Sequence, residues 1–154
     1  MSKVTVLGAG AWGSTMAQVL SDAGNHVLMW GRNQEIVNEI NTTHTNRKYL
    51  DENVLPLGIS ATTDLKQAFE YSNIYVLAVP AQVLRENLKS WKALVDPAAT
   101  YISTLKGIEV STLSRMTEII HEEMSTENFA LITGPNLSTA VSYTHLTLPT
   151  ILLV

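Results

Sequence analysis

The stretch Gly8-Ala9-Gly10-Ala11-Trp12-Gly13 limits what this chain can fold into more than any other part of it. Glycines at that spacing let a chain turn sharply, bring bare backbone up to a ligand, and start a helix close against the strand before it. The preceding run, Val4-Thr5-Val6-Leu7, is short, β-branched and apolar, as a buried strand is. The following segment, Ser14 to Ala23, is rich in small residues and reads as a helix stopped by Gly24. Strand, glycine turn and helix in that order form the first half of a dinucleotide-binding βαβ unit. Gly8 is expected to make the turn, Gly10 to admit a pyrophosphate, and Gly13 to seat the helix on the strand. The helix N-terminus would then offer free N–H groups and a positive dipole end to the phosphates. A glycine turn can also be only a turn, so its flanks carry most of the argument.

The alternation continues along the chain. His26 to Trp30 reads as a second strand. Asn33 is a candidate N-cap for a helix with Ile36, Val37 and Ile40 as its buried stripe. Asn41 to Gly58 is long, polar and interrupted by Pro56, and is expected to be an irregular excursion. A short helix from Thr63-Asp64 follows, then a continuously apolar strand from Ile74 to Val79 ended by Pro80. Val83, Leu84, Leu88 and Trp91 recur at helical spacing, Tyr101 to Thr104 is the next strand, and a helix is expected from Ser111 with Leu113, Met116, Ile119, Ile120 and Met124 on one face. Phe129 to Ile132 closes the series. The implied class is α/β: a doubly wound parallel sheet, the Rossmann-type dinucleotide-binding domain.

Such sheets bind ligands beyond the carboxyl ends of their strands. The glycine turn, Arg32, Val79-Pro80, Lys106 and Gly134 to Asn136 all fall at those ends. Selectivity for NAD usually comes from an acidic residue after the second strand, but here the chain reads Gly31-Arg32-Asn33. An arginine there can accept a 2′-phosphate and stack on adenine, so NADP(H) should be tolerated. The alternative for Arg32 is a solvated loop arginine, and for Lys106 a surface lysine after a strand.

Composition excludes several other classes. The chain has 154 residues, 10 Lys and Arg, 14 Asp and Glu and a net charge of −4, which offers no electrostatic grip on nucleic acid or anionic lipid. It has no cysteine, so disulfides, thiolate metal sites and cysteine nucleophiles are out. None of the four histidines has the spacing of a metal site, and neither a P-loop nor a Gly-x-Ser-x-Gly elbow is present. No apolar run is as long as a membrane span, strand-like sequence from residue 4 leaves no room for a signal peptide, and a cytoplasmic protein is the expectation.

Several further pieces carry a family resemblance. They are Trp30-Gly31-Arg32, His44-Thr45-Asn46-Arg47-Lys48-Tyr49-Leu50, Val79-Pro80-Ala81-Gln82, Leu105-Lys106-Gly107-Ile108-Glu109 and Thr133-Gly134-Pro135-Asn136. With the glycine turn, in this order and spacing, they resemble the N-terminal domain of bacterial NAD(P)-dependent glycerol-3-phosphate dehydrogenases. The resemblance runs from residue 3 to about residue 139.

That resemblance implies reduction of dihydroxyacetone phosphate to sn-glycerol 3-phosphate by hydride from NAD(P)H. It implies cofactor contacts at Gly8, Gly10, Ala11, Trp12, Gly13, Arg32, Tyr49, Lys106 and Ser138, and substrate contacts at Lys106, Gly134 and Asn136. Ser138 stands where the family more often has alanine. Lys106 would lie between cofactor and substrate, where a compact cation can hold a phosphate or polarise a carbonyl. The family's general-acid lysine belongs to a second, helical domain, so no catalytic residue is assigned here. A homodimer is an expectation for the full-length form only.

After Ala140 the resemblance ends. Residues 1–140 are expected to be the NAD(P)-binding domain, and 141–154 a non-native tail resembling translated sequencing-adapter read-through, with the helical substrate domain absent. Two other readings stay open: a dinucleotide-binding module that catalyses nothing, and another two-domain dehydrogenase of hydroxyacid or 6-phosphogluconate type.

Overall fold

Strands that carry apolar side chains on both faces must be covered on both sides. The computed structural model, which describes residues 1–133, meets this with six parallel strands between two helical layers. The strands are β1 (Lys3–Leu7), β2 (His26–Trp30), β3 (Ile59–Thr62), β4 (Ile74–Leu77), β5 (Thr100–Ser103) and β6 (Phe129–Leu131). The helices are α1 (Ala11–Asp22), α2 (Gln34–Thr43), the single turn α3 (Arg47–Leu50), α4 (Leu65–Tyr71), α5 (Leu84–Trp91) and α6 (Met116–Met124).

Side-chain alternation assigns the helices to their layers. Val4 and Val6 of β1, Val27 and Met29 of β2 and Val76 of β4 pack with Met16 and Ala17 of α1 and with Ile36, Val37 and Ile40 of α2. Leu7, Tyr75, Leu77 and Tyr101 point the other way, against Phe69, Leu88, Trp91, Ile119 and Ile120. Aromatic edges order that second core: Phe69 and Tyr75 lie 5.0 Å apart, and Trp91 lies 5.7 Å from both Trp30 and Phe69. Thr5, on this face, donates its hydroxyl to the Ala68 carbonyl at 2.9 Å and fastens α4 to β1.

The strand order is β3-β2-β1-β4-β5-β6. The chain winds outward from β1 to β3, then returns through α4 to set β4 against the other side of β1. The direction of winding reverses between β1 and β4, which is where doubly wound sheets open a crevice.

Three local expectations change. β3 was not anticipated: Ile59-Ser60-Ala61-Thr62 is a short edge strand whose pairing with β2 comes entirely from tertiary contacts. The helix expected from Ser111 starts at Met116, and Leu113 lies outside it, 71% exposed, with a φ of 60°. Glu109 and Ser114 close a tight loop there instead (Glu109 N–H to Ser114 O, 2.9 Å), so periodicity extended the helix past its real start. The excursion after Asn41 is less irregular than expected, since α2 runs on to Thr43 and α3 lies within it. Gly134, Asn136, Ser138 and the segment from residue 141 lie outside the described residues.

Candidate functional site: a cleft beyond the strand ends

Loops leaving β1, β2 and β4 stand side by side around a cleft of about 720 Å³. Gly8 to Trp12 form its floor, with Trp30 to Asn33, Ile36, Tyr49 and Ala78 to Pro80 as walls. The sheet ladder carries up to its edge: Gly8 N–H donates to Trp30 O at 3.0 Å, and Ala78 N–H to Leu7 O at 2.9 Å.

The glycines are required for different reasons. Gly8 has a φ of 134°, and a methyl there would collide with the Ala78 carbonyl. At Gly13 a methyl would run into the carbonyl of Gly8 itself. Gly31 lets the β2 loop close on the turn, since a methyl there would sit 2.7 Å from the Ala9 methyl. Gly10 differs from these three. Its φ of −85° suits any residue, and among the described residues a methyl would meet no packing neighbour within 4 Å. No packing contact among the described residues calls for a missing side chain at Gly10.

Gly10 caps α1, whose first internal bond is Ser14 N–H to Gly10 O at 2.9 Å. The amides of Ala11 to Gly13 therefore have no intrahelical acceptor, and no acidic residue occupies the first turn. That terminus attracts an anion. Trp12 lines the cleft, and its Nε1 is buried without a hydrogen-bond partner.

At the other end stand Arg32, exposed and without an ion pair among the described residues, and Tyr49, 39% exposed. Asn33 is occupied elsewhere, its Oδ1 accepting from Glu35 N–H (2.8 Å) and Ile36 N–H (3.3 Å) as the N-cap of α2. Among the described residues no carboxylate lines the cleft.

Lys106 is exposed on the loop after β5 and does not line the cleft. It shares the rim, because β5 is in register with β4 and Thr104 donates its N–H (3.2 Å) and hydroxyl (2.7 Å) to Leu77 O. Side chains missed from sequence hold this loop. Gln82 donates to Ile108 O (2.8 Å) and accepts from Val110 N–H (3.0 Å). Arg85 lies 3.0 Å from Glu109 and also pairs with Glu122 and Glu123. The Thr112 hydroxyl, and then Arg85, hold the Glu109 carboxyl below the usual carboxylate range, while Glu122, Glu123 and Glu109 push Arg85 up.

A second missed group anchors the excursion. Glu39 accepts from Arg47 N–H (2.9 Å) and Thr45 hydroxyl (2.8 Å), and the Arg47 amide is the chief cause of its lowered pKa. Asn46, wholly buried, donates to Ala9 O (3.1 Å) and Ser14 Oγ (2.8 Å). A polar residue inside a polar segment gives no sign of either role beforehand.

A helix start whose first amides lack an intrahelical acceptor, an obstacle-free Gly10 and an arginine after β2 suit a dinucleotide lying across β1, and among the described residues no side chain is seen to fill that path. The fold and cleft define a dinucleotide-binding domain of the dehydrogenase type. The family model described as NAD-dependent glycerol-3-phosphate dehydrogenase N-terminus matches residues 3–153, and the chain belongs to that family. It is 44% identical over 144 residues to glycerol-3-phosphate dehydrogenase [NAD(P)+] of Corynebacterium urealyticum, covering 92% of this chain and 43% of that protein. The crystal structure of glycerol-3-phosphate dehydrogenase from Coxiella burnetii superposes with a TM-score of 0.85 at 28% identity, covering 92% of this chain and 43% of that one. A yeast glycerol-3-phosphate dehydrogenase structure gives 0.84 at 32%, covering 92% and 44%. The chain thus spans under half the length of the relatives it matches.

Proposed function

We propose that this chain supplies the NAD(P)H site for interconversion of dihydroxyacetone phosphate and sn-glycerol 3-phosphate. The observation that carries the reading is Gly10, an unstrained glycine with no described neighbour where its side chain would be, at the start of a helix whose first amides lack an intrahelical acceptor. When bound, the nicotinamide nucleotide supplies a hydride to the carbonyl carbon, and the carbonyl oxygen takes up a proton. The chain's own residues bind and orient. Gly8, Gly10, Ala11, Trp12 and Gly13 cradle the diphosphate, Arg32 and Tyr49 take the adenosine end, and Lys106 faces both cofactor and substrate phosphate. Gly134 and Asn136 belong to the substrate side and Ser138 to the cofactor side of the same proposal.

Support for the substrate comes from the relatives' names and the Lys106-Gly107-Ile108-Glu109 and Gly134-Pro135-Asn136 stretches. The proposal assigns residues 1–140 to this domain and treats 141–154 as a non-native tail, which sequencing the genomic DNA downstream of codon 139 tests. Among the described residues no helix is long and apolar enough to cross a membrane. For the full-length form the proposal includes a cytoplasmic homodimer.

Trp12 and Trp30 both line the cleft, so NADH or NADPH should change tryptophan fluorescence saturably. The 154-residue chain should bind cofactor yet turn over negligibly, because positioning and proton transfer need groups beyond it. Unchanged fluorescence in a folded sample overturns the cofactor reading, and robust glycerol 3-phosphate oxidation overturns the second expectation.

A further inference from the structure

We propose that Asn46 is a positioning residue for the cofactor's diphosphate, acting through the peptide between Ala9 and Gly10. The inference rests on the cofactor reading above. Asn46 is 0% exposed and sits in the excursion between β2 and β3, remote in sequence from the glycine turn. Its Nδ2 spans the two ends of that turn, reaching Ala9 O at 3.1 Å and Ser14 Oγ at 2.8 Å. A carbonyl oxygen can only accept, so the amide's NH₂ end must face Ala9.

A peptide unit is planar and trans, so fixing the direction of Ala9 C=O fixes the Gly10 N–H in the opposite direction. Gly10 has no side chain to hold it, and among the described residues no packing neighbour lies within 4 Å of where one would be. Without Asn46 this peptide is free to rotate, and glycine permits the rotation at little cost. Asn46 thereby lets the chain keep a bare glycine at the phosphate and still hold its amide in one orientation. The same residue accepts from Tyr49 N–H (3.0 Å) and Leu50 N–H (2.9 Å) through its backbone carbonyl, starting the turn that carries Tyr49 into the cleft wall. Turn and wall therefore share one anchor.

A merely structural tie lies close by for comparison. Asn53 Nδ2 donates to Gln18 Oε1 at 2.8 Å, pinning the same excursion to the same helix without touching the glycine turn. The experiment measures binding of ADP, NADH and adenosine 2′-monophosphate to the whole chain and to Asn46→Asp, Asn46→Ala and Asn53→Ala, with melting temperatures alongside. Asn46→Asp keeps the buried volume but loses the donors. Both Asn46 variants should weaken ADP and NADH by about tenfold or more, the loss of one charge-assisted amide contact. Adenosine 2′-monophosphate, which carries no diphosphate, should change less than about twofold, and Asn53→Ala should leave all three ligands within the same margin.

Unchanged ADP affinity in Asn46→Asp overturns the proposal. So does an equal loss for adenosine 2′-monophosphate or in Asn53→Ala, because either outcome reports general loosening. If neither Asn46 variant folds, Asn46→Ser, polar but too short to span both acceptors, takes their place: severalfold weaker ADP binding supports the proposal and unchanged binding overturns it. Failure of the unaltered chain to bind NADH overturns the cofactor reading itself.

Discussion

Gly10 and Gly13 should respond in opposite ways to the same substitution. At Gly13 an added methyl collides with the carbonyl oxygen of Gly8, which is backbone and cannot swing aside as a flexible side chain could. Helix α1 must lift from the turn, and overpacking of this kind costs about 1–3 kcal/mol. For a domain this size that is a fall in Tm of roughly 2–12 °C, at about 2–4 °C per kcal/mol. At Gly10 an added methyl has no packing neighbour within 4 Å among the described residues and φ is −85°, so no strain arises. Replacing glycine by alanine at an N-cap costs about 0.5–1 kcal/mol. Reduced freedom of the unfolded chain returns about 0.4–1 kcal/mol. Gly10→Ala should therefore melt within about 2 °C of the parent. Its methyl does, however, occupy the space a diphosphate needs to reach the backbone. Losing one charge-assisted hydrogen bond, about 1.5–3 kcal/mol, weakens NADH roughly 10- to 150-fold. Thermal melting and tryptophan-monitored NADH titration of both variants provide the assay. Parent-like NADH affinity in Gly10→Ala, or a parent-like melt in Gly13→Ala, would refute the division of labour among these glycines.

Other outcomes follow from single groups. Arg32→Ala should weaken NADPH by about tenfold or more while NADH changes severalfold less, measured by parallel titrations, because only NADPH brings a 2′-phosphate to that arginine. Trp91→Ala should cost about 3–5 kcal/mol in urea denaturation, since Trp91 is 1% exposed, meets Trp30 edge-on and packs tilted against Phe69. Glu109, held below the usual carboxylate range by Thr112 and Arg85, contributes stability that is full above that range and fades as pH falls through its lowered value. The gap in Tm between the parent and Glu109→Gln should therefore be widest near neutrality and close in acid. A gap constant with pH would count against it.

Legibility varied with the reach of each interaction. Asn33 was legible as a cap, because a cap accepts from amides two and three residues on, here those of Glu35 and Ile36, and the start of α4 was legible at Thr63-Asp64, where Asp64 accepts from Lys66 and Gln67. Ile74 to Leu77 was legible because a central parallel strand must be apolar on both faces. Leu113 was misplaced because helical spacing persists into a loop that Glu109 and Ser114 close by their own hydrogen bond. Ile59 to Thr62 went unnoticed because a short edge strand carries little pattern of its own.

By itself, then, the sequence determined the strand–turn–helix unit, the succession of strands and helices apart from β3 and α3, and the family to which the chain belongs. Those features arise from groups a few residues apart, where backbone geometry leaves few choices. Tertiary structure alone decided which loops meet: that β4 returns beside β1 so that Ala78 to Pro80 wall the cleft, that Lys106 stands on the rim outside it, and that Asn46 reaches Ala9. Contacts of that kind join groups far apart in the chain, and only the packing of two helical layers on the sheet brings them within a hydrogen bond of each other.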